Sequence, residues 1–60
     1  MNELQILFRL NELNNKLPLS LALEAMGQVV FTMETLDEEG HEYDMDILIE
    51  EALDFALNEL

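Results

Sequence analysis

The side chains of this chain that could do chemistry are mostly carboxylates, and several are spaced to line one side of a helix. Asp46, Glu50 and Asp54 recur every four residues, which places successive carboxylates about 6 Å apart along a helix axis. Together with Asp44 and Glu51, they form a candidate surface for binding a basic protein partner. The same row could instead mimic the phosphates of DNA, or simply form the solvated side of an amphipathic helix.

A metal site and a catalytic site find little support in the sequence. Residues 37–42 combine carboxylates with His41 around Gly40, but their spacing is not that of a calcium-binding EF-hand loop. The chain has one histidine and no cysteine, so it cannot supply the usual ligands of a zinc site. Ser20 as a nucleophile would depend on His41 as its base, without an evident oxyanion hole. We therefore predict that the protein is not an enzyme and uses no cofactor or metal.

Charge is distributed very unevenly between the two halves of the chain. Residues 34–60 carry eleven carboxylates and no lysine or arginine, whereas residues 1–33 carry three carboxylates against Arg9 and Lys16. The net charge of −12 repels the phosphates of nucleic acids and anionic membrane surfaces. We expect a basic protein as the partner, with no direct binding to nucleic acid or to a membrane.

The length of the chain predicts one small domain, residues 1–60, that self-associates. Half of the residues are hydrophobic, yet a chain of this length buries only about 60% of the surface that it exposes when unfolded. Without a disulfide or a metal, a partner subunit is the remaining way to cover apolar surface, so we predict a homodimer or a larger homo-oligomer. No signal sequence and no apolar run of roughly 20 residues is evident, so we expect a cytoplasmic protein.

The spacing of apolar residues predicts an all-α fold of two or three amphipathic helices, packed as a small hairpin or bundle. The first helix spans about residues 2–15 and starts at Asn2, which can cap the free N–H groups of its first turn. Ile6, Leu10 and Leu13 step by four and three residues along one side of this helix. We predict that these three residues contact the second copy.

The second predicted helix spans about residues 18–36 and begins at Pro18, which is tolerated in a first turn because it lacks an N–H group. Gly27 within it either admits the close approach of another helix or is a weak point. Phe31 lies away from the main apolar row, and we predict that it contacts the second copy, with a surface for another partner as the alternative.

The third predicted helix spans about residues 45–58, with Asp44 or Asp46 as its N-cap. Its carboxylates line one side, and its apolar residues line another: Leu48, Ile49, Ala52, Phe55, Ala56 and Leu60.

An α+β fold is the alternative for the middle of the chain. Residues 29–35 are rich in strand-forming side chains, and residues 42–47 contain apolar side chains alternating with acidic ones, so the two segments could pair as a hairpin. The apolar row of the second helix continues through residues 29–35, however, and a strand would split it between two faces. We favour the helix, and in either case we predict a loop over residues 36–42.

The chain as a whole resembles a group of phage proteins. The opening residues 1–10 (MNELQILFRL), the junction 17–20 (LPLS) and the acidic tail 50–60 (EEALDFALNEL) are similar to the small acidic accessory proteins encoded in the early exo–xis region of lambdoid bacteriophages. This resemblance implies a helical protein, able to form dimers, that is made early in phage development. It implies action in the bacterial cytoplasm on the choice between lysis and lysogeny or on the host cell cycle.

Charge, size and resemblance together predict a non-enzymatic regulatory protein of early lytic development that binds a basic host or phage protein through its acidic surface. Two alternatives remain open at this point. The chain could inhibit a nucleic-acid-binding protein by mimicking DNA, or it could be a structural oligomer whose acidity serves solubility.

Overall fold

A computed structural model describes residues 2–58 of the chain. Over these residues the fold consists of three α-helices: α1 (Glu3–Leu13), α2 (Leu19–Glu39) and α3 (Met45–Leu57). Residues 2–58 contain no strand, so the predicted all-α fold is confirmed. The alternative hairpin is wrong, because residues 29–35 lie inside α2. A strand there would split the apolar row of the helix between two faces.

The start of α1 is held by a reciprocal pair of hydrogen bonds. The backbone N–H of Gln5 donates to Asn2 Oδ1 at 2.8 Å, and the backbone N–H of Asn2 donates to Gln5 Oε1 at 2.9 Å. This capping box confirms Asn2 as the N-cap. The helix ends at Leu13, two residues before the predicted end, where the side chain of Asn14 accepts a hydrogen bond from the backbone of Lys16 at 3.0 Å. Asparagine commonly favours such a turn over helix.

The second helix is longer than predicted. Pro18 immediately precedes its first residue, one position from the predicted start, and the helix continues to Glu39. Residues 37–39, which we predicted as loop, are therefore helical, although their carboxylates lie at the unfavourable end of the helix dipole. The dipole effect amounts to only some tenths of a kcal/mol per exposed charge, which is too little to end a helix where the backbone can still form hydrogen bonds.

A glycine ends α2. Gly40 has a φ of 74°, in the left-handed region that glycine adopts without strain. Its N–H donates to the carbonyl oxygen of Asp37 at 3.2 Å, and the N–H of His41 donates to that of Leu36 at 2.9 Å. This Schellman arrangement satisfies carbonyl groups that the helix end leaves without partners.

The three helices bury one shared apolar cluster. The second helix lies at its centre, and α3 packs more extensively against α2 than against α1. Several contacts use alanines of α2 and α3, whose small side chains let the helix backbones approach closely. Leu60, which we predicted on the apolar side of the third helix, lies outside the described residues. The cluster is made of Ile6, Leu10, Ala25, Val29, Leu48, Ile49, Ala52 and Ala56.

Candidate functional site

Of the five predicted partner-binding carboxylates, Asp44 has a structural role in its own helix. Its Oδ1 accepts a hydrogen bond from the backbone N–H of Asp46 at 2.9 Å, which makes Asp44 the N-cap of α3. Asp46 lies in the first turn, where the helix dipole favours a negative charge.

We predict that Asp44 acts mainly as a cap. Asp44→Ala is expected to lower the free energy of unfolding by about 1 kcal/mol, because an N–H group of the first turn loses its acceptor. Asp44→Asn keeps an oxygen at the same place and should change stability by a few tenths of a kcal/mol at most. Chemical denaturation followed by circular dichroism measures both variants. Equal losses in the two variants would mean that the charge of Asp44, and not its cap, carries the effect.

The charge of Asp46 is balanced within the chain. Its Oδ1 lies 3.7 Å from Nη2 of Arg9 on α1, while Nη1 of the same arginine lies 3.7 Å from Oε2 of Glu12. All three side chains are largely exposed, and such pairs contribute about 0–1 kcal/mol to stability. The pair nevertheless places a positive charge beside Asp46, so the predicted acidic stripe is weaker at its N-terminal end.

The other three predicted carboxylates lie on the solvent side of α3 beside exposed apolar residues. Glu50, Glu51 and Asp54 are exposed, and no ion pair between residues 2–58 involves any of them. Ile47 and Phe55 are exposed on the same helix, at 52% and 58%. We call these five residues the outer face of α3. Ile47, Glu51 and Phe55 are four residues apart and therefore follow one another along the helix surface.

A shallow groove adjoins this outer face. It has a volume of about 180 Å³ and lies between α2 and α3. Glu51 and Phe55 belong both to the groove and to the outer face, so the groove, which polar and apolar side chains line in equal number, adjoins the exposed carboxylates. Its lining residues are Gln28, Thr32, Leu48, Glu51, Ala52 and Phe55.

Sequence reasoning missed the apolar part of this surface. Phe55 was predicted on the core side of the helix because it is three and seven residues from Ala52 and Leu48, and this placement is wrong. The apolar arc of α3 is wider than the surface that α1 and α2 cover, so its margin stays exposed. The signal was present in the sequence, because Ile47 and Phe55 are each four residues from Glu51, which places them beside an acidic residue on the helix surface.

Of the four residues predicted to contact a second copy, two are buried and two are exposed. Ile6 and Leu10 are 0% exposed, so in this fold a second copy cannot reach them, and their part of that prediction is corrected. They belong to the core because α2 and α3 both pack over that side of α1. Leu13 and Phe31 are exposed, at 42% and 68%, and remain available for contact.

The connection between α2 and α3 is tied to the end of α2. The hydroxyl group of Tyr43 donates to Oδ2 of Asp37 at 3.3 Å. Partial burial of the tyrosine, followed by the hydrogen bond and the negative charge of Asp37, raises the pKa of Tyr43 above its ordinary value. His41 Nε2 lies 3.4 Å from Oε2 of Glu39. The carboxylates of Asp37 and Glu39 therefore contact neighbouring side chains. The outer face of α3 is the more open acidic surface.

Two further properties concern metals and membranes. Within residues 2–58, no group of three or more histidine, aspartate or glutamate side chains is arranged to hold a metal ion. Among the helices of this part of the chain, none combines the length and the apolar character needed to cross a membrane.

Fold and surface together define a class: a small three-helix protein with an apolar core and an acidic, partly apolar outer face. Comparison of the chain with protein-family models, with curated proteins and with solved structures found no match. The resemblance to lambdoid phage accessory proteins stays a prediction that rests on the sequence.

Proposed function

We propose that this chain is a non-enzymatic regulatory protein that binds a basic protein through the outer face of α3. One observation carries the proposal: the exposed carboxylates of Glu50, Glu51 and Asp54 lie on the same side of α3 as the exposed apolar side chains of Ile47 and Phe55. A lysine- or arginine-rich surface with an apolar side chain at its centre would complement this arrangement. The carboxylates would steer the approach, and the apolar contact would slow dissociation.

The mixture of apolar and acidic residues favours a protein partner over DNA mimicry. A mimic of the DNA backbone needs regularly repeated negative charge, because the partner's groove is built to bind phosphates. On α3 the row of Asp46, Glu50 and Asp54 lies beside the exposed apolar side chains of Ile47 and Phe55, and its first carboxylate, Asp46, is paired with Arg9. Apolar side chains are instead typical of the centre of protein–protein contacts.

The resemblance supplies the biological setting of the proposal. The partner would be a basic host or phage protein, met in the bacterial cytoplasm during early lytic development. Binding would change the activity of that partner. The chain would act through this contact alone, because we propose no catalytic group in it. The competing hypothesis is a structural oligomer whose acidity serves only solubility, and a binding experiment must exclude it.

The proposal is tested by removing charge at the outer face and, separately, elsewhere. In one variant Glu50→Gln, Glu51→Gln and Asp54→Asn are combined. The matched control combines Glu3→Gln, Glu12→Gln and Glu24→Gln, which removes the same number of exposed charges from the other half of the chain. A partner captured from bacterial lysate by the unmodified chain is purified and titrated against all three proteins. We expect the first variant to lose at least about tenfold in affinity, or ~1.4 kcal/mol, and the control to lose much less.

Salt dependence gives an independent readout. Raising ionic strength to about 1 M shortens the screening length to about 3 Å, so the complex with the unmodified chain should weaken markedly. The outer-face variant should show a smaller dependence on salt. Equal losses in the two triple variants would show that only net charge matters, and unchanged binding in the outer-face variant would refute the proposed site.

A further inference from the structure

The groove between α2 and α3, which we call the α2–α3 groove, combines an apolar floor with more polar sides. Leu48 and Ala52 line it and are buried, so they form its floor. Each side consists of two residues that are four positions apart and therefore neighbours on their helix surface. These pairs are Gln28 with Thr32 on α2 and Glu51 with Phe55 on α3. The groove thus offers hydrogen-bonding atoms, one negative charge and one aromatic ring above an apolar surface.

The polar side chains of the α2–α3 groove have unused hydrogen-bonding capacity. Within residues 2–58, no hydrogen bond or ion pair joins the side chain of Gln28, Thr32 or Glu51 to another protein group. Thr35, three residues further along α2, differs from Thr32 because its hydroxyl donates to the carbonyl oxygen of Phe31 at 2.9 Å. The amide oxygen of Gln28, the hydroxyl of Thr32 and the carboxylate of Glu51 can therefore accept hydrogen bonds from a ligand.

The charge around the α2–α3 groove is negative. Glu51 is the one charged residue among its lining residues, and Glu50 and Asp54 are exposed beside it on α3. The basic residues of the chain lie elsewhere, because Arg9 is paired with carboxylates of its own chain and Lys16 lies between α1 and α2. A cation is attracted to this groove, and a phosphate or a carboxylate is repelled.

The size of the α2–α3 groove suits a single side chain. Its volume of about 180 Å³ is below the roughly 300–1,000 Å³ of ordinary pockets for small molecules. A helix, which measures about 10–12 Å across with its side chains, does not fit into it. Charge and size together point to one cationic side chain that projects from a larger molecule.

We propose that the α2–α3 groove binds one arginine side chain of the basic partner. The guanidinium group donates a pair of hydrogen bonds to the carboxylate of Glu51 and stacks its flat face on the ring of Phe55. Its remaining N–H groups donate to the side-chain oxygens of Gln28 and Thr32, and its methylene groups cover the apolar floor. This inference deepens the proposed function and rests on it for the protein that supplies the arginine.

The lining of the groove favours arginine over lysine. A guanidinium group is planar and weakly hydrated, so it can leave water for a site that combines a carboxylate with an aromatic face. The ammonium group of lysine is a compact, strongly hydrated charge that neither stacks on a ring nor forms a paired contact with a carboxylate. Lysine therefore gains less from the ring of Phe55 and gives up more hydration above the apolar floor.

Nuclear magnetic resonance of the isotope-labelled full chain tests the preference for arginine. The probes are N-acetyl-arginine methylamide, its lysine analogue, and its citrulline analogue, which has nearly the shape of arginine without the charge. We expect saturable shifts at Gln28, Thr32 and Phe55 with a dissociation constant in the millimolar range. The lysine probe should bind at least about threefold more weakly, and the citrulline probe at least about tenfold. Absence of saturable shifts at these residues, or equal binding of the arginine probe and either analogue, would overturn the inference.

Two substitutions with matched controls test the individual contacts. Glu51→Gln should weaken the arginine probe at least about threefold, whereas Glu50→Gln, which removes the same charge outside the groove, should weaken it less than about twofold. Phe55→Leu keeps an apolar side chain but removes the ring, so the preference for arginine over lysine should nearly vanish. Phe8→Leu, at an exposed phenylalanine of α1, should leave that preference unchanged. Equal effects of the two glutamate variants, or an unchanged preference in Phe55→Leu, would contradict the proposed contacts.

Failure of this inference is distinguishable from failure of the proposed function. The proposed function fails when the captured partner binds the outer-face variant as tightly as the unmodified chain. The inference fails when the arginine probe does not bind the α2–α3 groove, even if the outer-face variant loses the partner. Where both hold, the arginine probe should displace the captured partner from the unmodified chain more effectively than the lysine probe does at the same concentration and ionic strength. Equal displacement by the two probes would show that the partner does not use the groove for arginine.

Discussion

Ile6→Ala is expected to lower the free energy of unfolding by about 2–5 kcal/mol, the range for truncating a fully buried large aliphatic side chain. Ile6 is 0% exposed and contacts the cluster shared by all three helices. A core in a domain of this size rarely supplies more than about 3–5 kcal/mol of net stability. The variant should therefore be largely unfolded at moderate temperature, as measured by circular dichroism and chemical denaturation.

Leu4→Ala is the matched control for this substitution. Leu4 lies on the same helix but is 57% exposed, so its truncation should change stability by about 0.5 kcal/mol or less. Ile6→Val removes a single methyl group and should cost about 0.5–1.5 kcal/mol, which keeps the test quantitative if the alanine variant does not fold. If the Ile6→Ala chain had normal stability but did not self-associate, Ile6 would lie on the surface and contact a second copy, as the sequence predicts.

Gly40→Ala is expected to lower the free energy of unfolding by about 1–2 kcal/mol. The reason is conformational, because Gly40 has a φ of 74° and a Cβ atom there would meet no nearby atom in the described residues. An L-residue with a side chain pays roughly 1–2 kcal/mol for the left-handed conformation. Gly40→Asn should lose less, since asparagine tolerates that conformation better.

Gly27→Ala provides the control of opposite sign. The space around Gly27 is also open, but its backbone is helical, so alanine should stabilise the dilute monomer by up to ~1 kcal/mol. Thermal and chemical unfolding of the two variants, measured at the same low protein concentration, compare them directly. If both variants lost stability, steric contact of the added Cβ atom, and not backbone conformation, would determine the effect of substituting these glycines.

Much of the local structure could be predicted from the sequence because its causes are local. Asn2 is followed three residues later by Gln5, and both members of this pair cap α1. The helical spacing of apolar residues located all three helices to within a few residues at each end. The largest error is the end of α2, which continues to Glu39 because the left-handed backbone conformation of Gly40 decides where the helix ends.

The candidate site could be predicted only in part. The carboxylates of the third helix were found from their four-residue spacing, and Glu50, Glu51 and Asp54 are indeed exposed. The pairing of Asp46 with Arg9 could not be foreseen, because the two residues are 37 positions apart and meet only when α1 and α3 pack together. Sequence spacing fixes which residues share a side of one helix, but it does not fix which other helix they meet.

The sequence by itself determined the helical fold, the apolar side of each helix and the confinement of negative charge to the second half of the chain. Only the tertiary structure decided which apolar residues are covered. Ile6 and Leu10 are buried, whereas Phe31 and Phe55 are exposed, although all four are strongly hydrophobic. The physical reason is that three short helices cannot cover apolar arcs as wide as these, so their packing geometry selects the core and leaves the other apolar residues exposed.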